Sequence, residues 1–293
     1  MSTPPYLALP FGVDAATVDT AVGQFAVLQA GPDDGSRGSA LLLPGFTGSK
    51  EDFIAVVGPL AEQGYQVTVM DQRGQWETPG PVEAQFYDLA TFGADALAVA
   101  SAMTDDPIHV VGHSYGGLVA RAAVIQAPQR FASLTLLCSG PSALPHPQRD
   151  QLTLFGDVLA EHGLEVLWAA KSALEREQGN EGPDDPAIAE FLDRRFLASS
   201  PGSLLRMARD LVATPDRTDE LAVTGVPVQV VWGEHDHYWP PEVQQEMAVR
   251  LGAATVEISG AAHSPNVEQP AALVQALVAH WAASASSNGV GAS

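Results

Sequence analysis

The 293-residue sequence predicts an α/β protein, a mostly parallel doubly wound sheet carrying an inserted helical cap. Short β-rich apolar runs alternate with longer amphipathic stretches, the pattern of strands that cross over through helices. Several of the strand candidates are apolar almost throughout, as strands covered on both faces are. The alternation then stops between Gly140 and Leu221, where amphipathic helix-like pieces are punctuated by Pro and Gly.

Taken in order, the strand candidates are Gln24 to Ala30, Ala40 to Leu43, Gln66 to Met70, Ile108 to Val111, Leu134 to Cys138, Val228 to Trp232 and Thr255 to Ile258. Helices are expected over Glu51 to Gln63, Leu89 to Met103, Leu118 to Gln126, Glu242 to Leu251 and Ala271 to Ala282. In the second of these, Phe92, Ala96, Leu97, Ala100 and Met103 recur at helical spacing and should face the sheet. The implied organisation is a core of residues 1–139 and 222–293 interrupted by a cap over 140–221. Within the cap, the acidic, turn-rich stretch Gln178 to Pro186 reads as a surface loop. The small polar residues after Ala283 are expected to fray.

Composition narrows the partners. Hydrophobic residues make up 46% and charged ones 17%, enough apolar material for a large core and too much for a disordered chain. Fourteen Lys and Arg against 35 Asp and Glu give a formal charge of −21, whose field repels phosphate backbones and anionic lipid surfaces. Neither nucleic acid nor membrane is an expected partner, and oligomeric state is not legible. Cys138 stands alone, so no intrachain disulfide or multi-thiolate metal site forms. Met1 to Pro10 holds no basic residue and no apolar run of signal length, so a cytoplasmic location is expected.

The chemistry-bearing motif follows the fourth strand candidate. Ile108 to Val111 runs into Gly112-His113-Ser114-Tyr115-Gly116-Gly117 and then a helix, which is G-x-S-x-G in a strand-turn-helix context. Glycines at 112 and 116 let the turn close, and Ser114 Oγ is expected at the C-terminal edge of the sheet beside the helix N-terminus. The glycine spacing of a dinucleotide-binding turn and a Walker sequence are both missing here, so no cofactor is expected.

A serine hydroxyl needs a base within hydrogen-bond reach and an acceptor to orient that base. His263, in the small-residue loop Gly260-Ala261-Ala262-His263-Ser264 after the last strand, is expected on the edge that carries Ser114. His113 diverges from its neighbour Ser114 and is expected to pack beneath the turn; His109 belongs to the core. Asp236, following Val228 to Trp232, is the candidate orienting acid, with Glu234 its local rival. Glu234-His235-Asp236-His237 has no supporting His or Cys cluster at ligand spacing, and no metal is expected.

The chain order Ser114, Asp236, His263, the elbow, the sheet rhythm, the late cap and the Gly-x-x-Asp turn together resemble the α/β-hydrolase superfamily, its serine-nucleophile members with a helical cap. The resemblance covers nearly the whole chain. It implies an oxyanion hole formed by the backbone N–H of Tyr115 and by that of Phe46, in the loop Leu43-Pro44-Gly45-Phe46-Thr47-Gly48-Ser49. The family usually carries His-Gly-x there, and this chain has Pro44 in place of the His, which removes an anchoring side chain but no backbone donor. Asp71-Gln72-Arg73-Gly74 is similar to a turn common in the superfamily, with Asp71 and Arg73 as turn stabilisers.

Trp76, Trp168 and Tyr238 are candidate pocket residues, and Phe46 and Tyr115 are expected to add surface near the opening. The resemblance implies a cofactor-free serine hydrolase acting on a small, mostly apolar acyl substrate: a carboxylic ester, lactone or thioester. Two other readings stay open at this level. One is C–C hydrolysis or lyase chemistry on the same scaffold; the other is a ligand-binding protein of the same fold.

Overall fold

The computed structural model describes residues 2–32, 34–177, 179 and 182–288. Among them eight strands form one sheet: β1 (Asp14–Thr20), β2 (Gly23–Ala30), β3 (Ser39–Leu43), β4 (Gln66–Met70), β5 (Ile108–His113), β6 (Phe131–Leu137), β7 (Val228–Gly233) and β8 (Ala254–Ile258). Their order is β1-β2-β4-β3-β5-β6-β7-β8. Every pairing from β4 to β8 is parallel, while β1 and β2 form an antiparallel margin. Parallel strands need crossovers, and the helices supply them. These include α1 (Ile54–Glu62), α2 (Leu89–Met103), α3 (Tyr115–Gln126) and α8 (Pro241–Leu251), while α9 (Pro265–Glu268) and α10 (Pro270–Asn288) follow β8.

Alternation along the inner strands sends side chains into two cores. Leu41 and Leu43 of β3 and Val110 of β5 join Phe92 of α2, Leu118 of α3 and Met247 of α8 on one face. Ala40, Leu42 and Val111 point the other way, onto Val56 and Leu60 of α1 and Leu273 and Trp281 of α10. This two-sided burial is why the strands read as continuous apolar runs. Strand β1 was not anticipated. Its sequence DAATVDT has no apolar run because it is an edge strand, paired only with β2 and with no buried residue.

Between β6 and β7 lie α4 (Gln148–Glu177), α5 (Pro186–Ala198), α6 (Pro201–Ala213) and α7 (Thr218–Ala222). Gly163 breaks α4 with φ 82° and ψ 177°, a conformation that suits glycine. The segment is bound to loops at the C-terminal edge of the sheet: Ser200 N–H donates to Gly74 O at 2.7 Å, and Ser203 Oγ to Arg73 O at 3.0 Å. Met207 and Leu211 of α6 join the same apolar cluster as β3 and β5, so this helix packs as part of the main core.

The helix expected to fray after Ala283 continues to Asn288, and buried Ser284 donates its hydroxyl to His280 O at 2.9 Å. Residues 289–293 lie outside the described part. Of the expected loop from 178 to 186, Gln178, Asn180 and Glu181 also lie outside it, and Pro186 already opens α5, capped by Asp185 accepting from Ala187 N–H at 2.8 Å.

Candidate active site

Ser114 sits between β5 and α3 with φ 54° and ψ −119°, a backbone conformation that side-chain-bearing residues rarely adopt. Ser114 N–H donates to Leu137 O at 2.9 Å and its carbonyl accepts from Gly117 N–H at 2.9 Å, which holds the turn. A Cβ on Gly112 would fall 2.2 Å from Gly116 O, and one on Gly116 would fall 2.4 Å from Leu43 O. Both glycines are therefore required by close backbone approach.

The three distant candidates converge. His263 Nε2 lies 3.0 Å from Ser114 Oγ, and His263 Nδ1 lies 2.9 Å from Asp236 Oδ1. An imidazole with Nδ1–H donated to the carboxylate presents Nε2 as acceptor to the hydroxyl. Asp236 is buried, whereas the His263 side chain keeps 16% of its surface exposed. Glu234, the rival acid, accepts from Gly260 N–H at 2.9 Å and braces the loop leading to His263.

Asp236 is itself held from two sides. Tyr238 N–H donates to Oδ1 at 3.0 Å, and Gln244 Nε2 donates to Oδ2 at 2.9 Å. His113 is buried beside the turn and its Nε2–H donates to the carbonyl of His263 at 2.6 Å. Burial, followed by the nearby His263, pushes His113 down to about 3, so its ring is neutral.

The loop after β3 is tethered by side-chain amides. Gln72 Nε2 donates to Pro44 O at 2.8 Å and Gln75 Nε2 to Gly45 O at 2.9 Å. These two glutamines do the anchoring that Pro44 cannot. Lys50 N–H and Nζ both reach Asp71, at 2.7 and 2.9 Å, and Arg73 pairs with Asp95 of α2, so both turn residues brace the scaffold. Neither Phe46 N–H nor Tyr115 N–H donates to a backbone carbonyl among the described residues. Gly45 comes so close to Ser114 that a Cβ there would lie 3.1 Å from Ser114 Cβ.

Of the pocket candidates, only Tyr238 meets a member of the Ser-His-Asp group, its ring 4.3 Å from that of His263. Trp168 stacks on Phe196 at 4.6 Å and donates Nε1–H to Asp193. It borders a cavity of about 810 Å³ between α4 and α5 that Ser114, Asp236 and His263 do not line. Trp76 packs edge-on against Phe191 at 5.5 Å, beneath Arg194. Phe46 meets Phe155 of α4 at 5.1 Å, bringing the helical segment against the loop. The Tyr115 side chain is not surface near an opening: it is fully buried against Phe92, and its hydroxyl donates to Asp210 at 2.8 Å.

Cys138 Sγ, Asp236 and His263 offer ligand-type atoms within 4.8 Å of one another. In this arrangement the imidazole and carboxylate are already bonded to each other, and burial pushes the Cys138 thiol well up, which keeps it protonated. Gln72, Gln75, Gln244 and the His113 contact escaped the sequence reading. Glutamine carries no spacing signature, and only the fold shows which acceptor its amide meets.

The sequence profile of the alpha/beta hydrolase fold matches residues 41–270. A putative carbamate hydrolase RutD of Variovorax paradoxus is 34% identical over 119 residues, 41% of this chain and 44% of that protein's own length. The 3-oxoadipate enol-lactonase 2 of Acinetobacter baylyi is 24% identical over 229 residues, 73% of this chain and 78% of that one. Among solved structures, a thermophilic esterase from Thermogutta terrifontis superposes with a TM-score of 0.71 at 23% identity, covering 90% of this chain and 96% of that one. No helix among the described residues is long and apolar enough to cross a membrane.

Proposed function

The chain belongs to the alpha/beta hydrolase fold family, and from that premise we propose that it is a cofactor-free serine hydrolase cleaving a carboxylic ester, lactone or thioester of a small, mostly apolar acyl substrate. The observation that carries this reading is the unbroken hydrogen-bonded line from Ser114 Oγ through His263 to Asp236. His263 takes the hydroxyl proton as Ser114 attacks the acyl carbon and gives it to the departing oxygen or sulfur as the acyl-enzyme forms; it then takes a proton from the water that attacks the acyl carbon and returns it to Ser114 Oγ as the acid leaves. Asp236 fixes the tautomer and stabilises the imidazolium. The N–H groups of Phe46 and Tyr115 receive the negative oxygen of the tetrahedral intermediate, each donor contributing about 3 kcal/mol.

The aromatic faces of Phe46, Phe155 and Tyr238 support an apolar substrate, with α4 to α7 as the cap that shapes its pocket. The names of the two curated relatives and the esterase, spanning carbamate, lactone and ester, are consistent with attack on an acyl carbon. The test is covalent: a fluorophosphonate should add to Ser114, located by peptide mass, and short-chain p-nitrophenyl esters should turn over. Protein that neither labels nor hydrolyses would favour the ligand-binding reading.

A further inference from the structure

We infer that Gln244 is a positioning residue for the proposed relay, holding the Asp236 carboxylate in the plane in which it meets His263; this rests on the serine-hydrolase reading and deepens it. Gln244 lies on the first turns of α8 and is fully buried. Its Nε2 donates to Asp236 Oδ2 at 2.9 Å and to Trp239 O at 2.6 Å. Two acceptors at one nitrogen fix the orientation of the amide, because its oxygen would be repelled by both. The carboxylate is then clamped at each oxygen: Gln244 on Oδ2, Tyr238 N–H and His263 on Oδ1.

An unclamped carboxylate rotates about its Cβ–Cγ bond and offers Oδ1 to His263 for only part of the time. A partner three hydrogen bonds removed from the reacting hydroxyl is therefore expected to change the rate at which Ser114 reacts. Other groups that titrate or carry charge near this pair are fixed in number. Cys138, just after β6, and His113 at the end of β5 face it from the sheet edge, Tyr238 from its own loop, and Glu268 of α9 accepts from Ser264 N–H at 3.2 Å. Gln244 is the neutral donor among them, and a carboxyl group in its fully buried place, facing Asp236 and the Trp239 carbonyl, is driven to its protonated form, which still donates.

The test compares Gln244→Met, which keeps length and packing but loses the donor, with the isosteric Gln244→Glu. Both are measured by fluorophosphonate labelling of Ser114 across pH and by the low-field proton resonance of His263 Nδ1–H. Labelling by Gln244→Met should slow roughly tenfold with its resonance broadened. Gln244→Glu, protonated between two acceptors, keeps a donor on Oδ2 and should label near the parental rate with its resonance retained, so that the loss in Gln244→Met is traced to the missing donor. Parental rate and resonance in both variants, with only the melting temperature lowered, would overturn the inference and leave Gln244 a packing residue. Should Ser114 of the parent fail to label at all, the hydrolase reading falls by itself, and the His263 resonance still decides whether Gln244 orients the pair.

Discussion

The ring of His113 is tied to the backbone of His263: Nε2–H of the first donates to the carbonyl of the second at 2.6 Å, across 150 positions of sequence. The residue beside Ser114 thus holds the loop that brings His263 to Ser114 Oγ. This contact requires a proton on Nε2, and burial, which pushes the group down to about 3, leaves that as the ring's one proton.

Acid should weaken the fold through buried histidines, and His109 isolates the effect away from the site. It stacks on Trp281 at 5.0 Å, bonds Ser133 Oγ at 2.8 Å, and burial pushes it down to about 4 from 6.5. Its folded value lies below its unfolded one, so the unfolded chain binds the extra proton. The contribution is whole above pH 6.5 and drains away as pH falls toward 4, at about 1.4 kcal/mol per pH unit. His109→Gln lacks this proton uptake. Urea midpoints at pH 7.5 and 4.5 should therefore show parent losing more stability than variant, and parallel losses would refute the assignment.

Ser114→Ala should lower kcat/KM on an activated ester by roughly four to six orders of magnitude while the far-ultraviolet dichroism and melting temperature stay parental. The strained turn survives because Gly112 and Gly116, not the hydroxyl, permit it. A variant retaining a tenth of the parental rate would exclude Ser114 as nucleophile.

Arg195 of α5 and Asp52, at the start of the stretch leading into α1, form a fully buried ion pair at 2.6 Å. Arg195→Met would strand Asp52, already pushed up by burial, and should cost about 3–5 kcal/mol. Adding Asp52→Asn should recover part of that loss, since the price of a lone buried charge is then gone. Chemical denaturation of both variants checks this; an equal or larger loss in the double variant would contradict it.

What the residues disclosed and what they hid follow one physical division. Apolar runs and the glycine-bounded elbow were legible because burial on two faces and close backbone approach restrict residue type. Gln66–Met70 and Leu89–Met103 accordingly begin and end where periodicity places them. Strand β1 was hidden because an edge strand needs hydrogen bonds more than apolar side chains. That Ser114, Asp236 and His263 would meet was legible through loop position after their strands, whereas the roles of Gln72, Gln75 and Gln244 were not, since an amide's value depends on which acceptor the folded backbone brings to it. Aromatic type misled at Tyr115, where a hydroxyl reaching Asp210 directs the ring inward.

Gln75 offers the sharpest test of the proposed anion site. The Gly45 carbonyl and the Phe46 N–H belong to one peptide unit, planar and trans, so they point in opposite directions. Gln75 Nε2 holds that carbonyl at 2.9 Å and Gly48 N–H holds it at 3.1 Å, which together fix where Phe46 N–H aims. Gln75 is fully buried, so water does not readily take its place. In Gln75→Leu the peptide loses its strongest restraint and the donor wanders from the position where the oxyanion forms. That interaction exists chiefly in the transition state, so kcat should fall by about 10- to 100-fold with KM little changed. Steady-state rates on a p-nitrophenyl ester measure the split. A raised KM at parental kcat would place Gln75 in substrate binding instead, and the oxyanion role of Phe46 would lose its support.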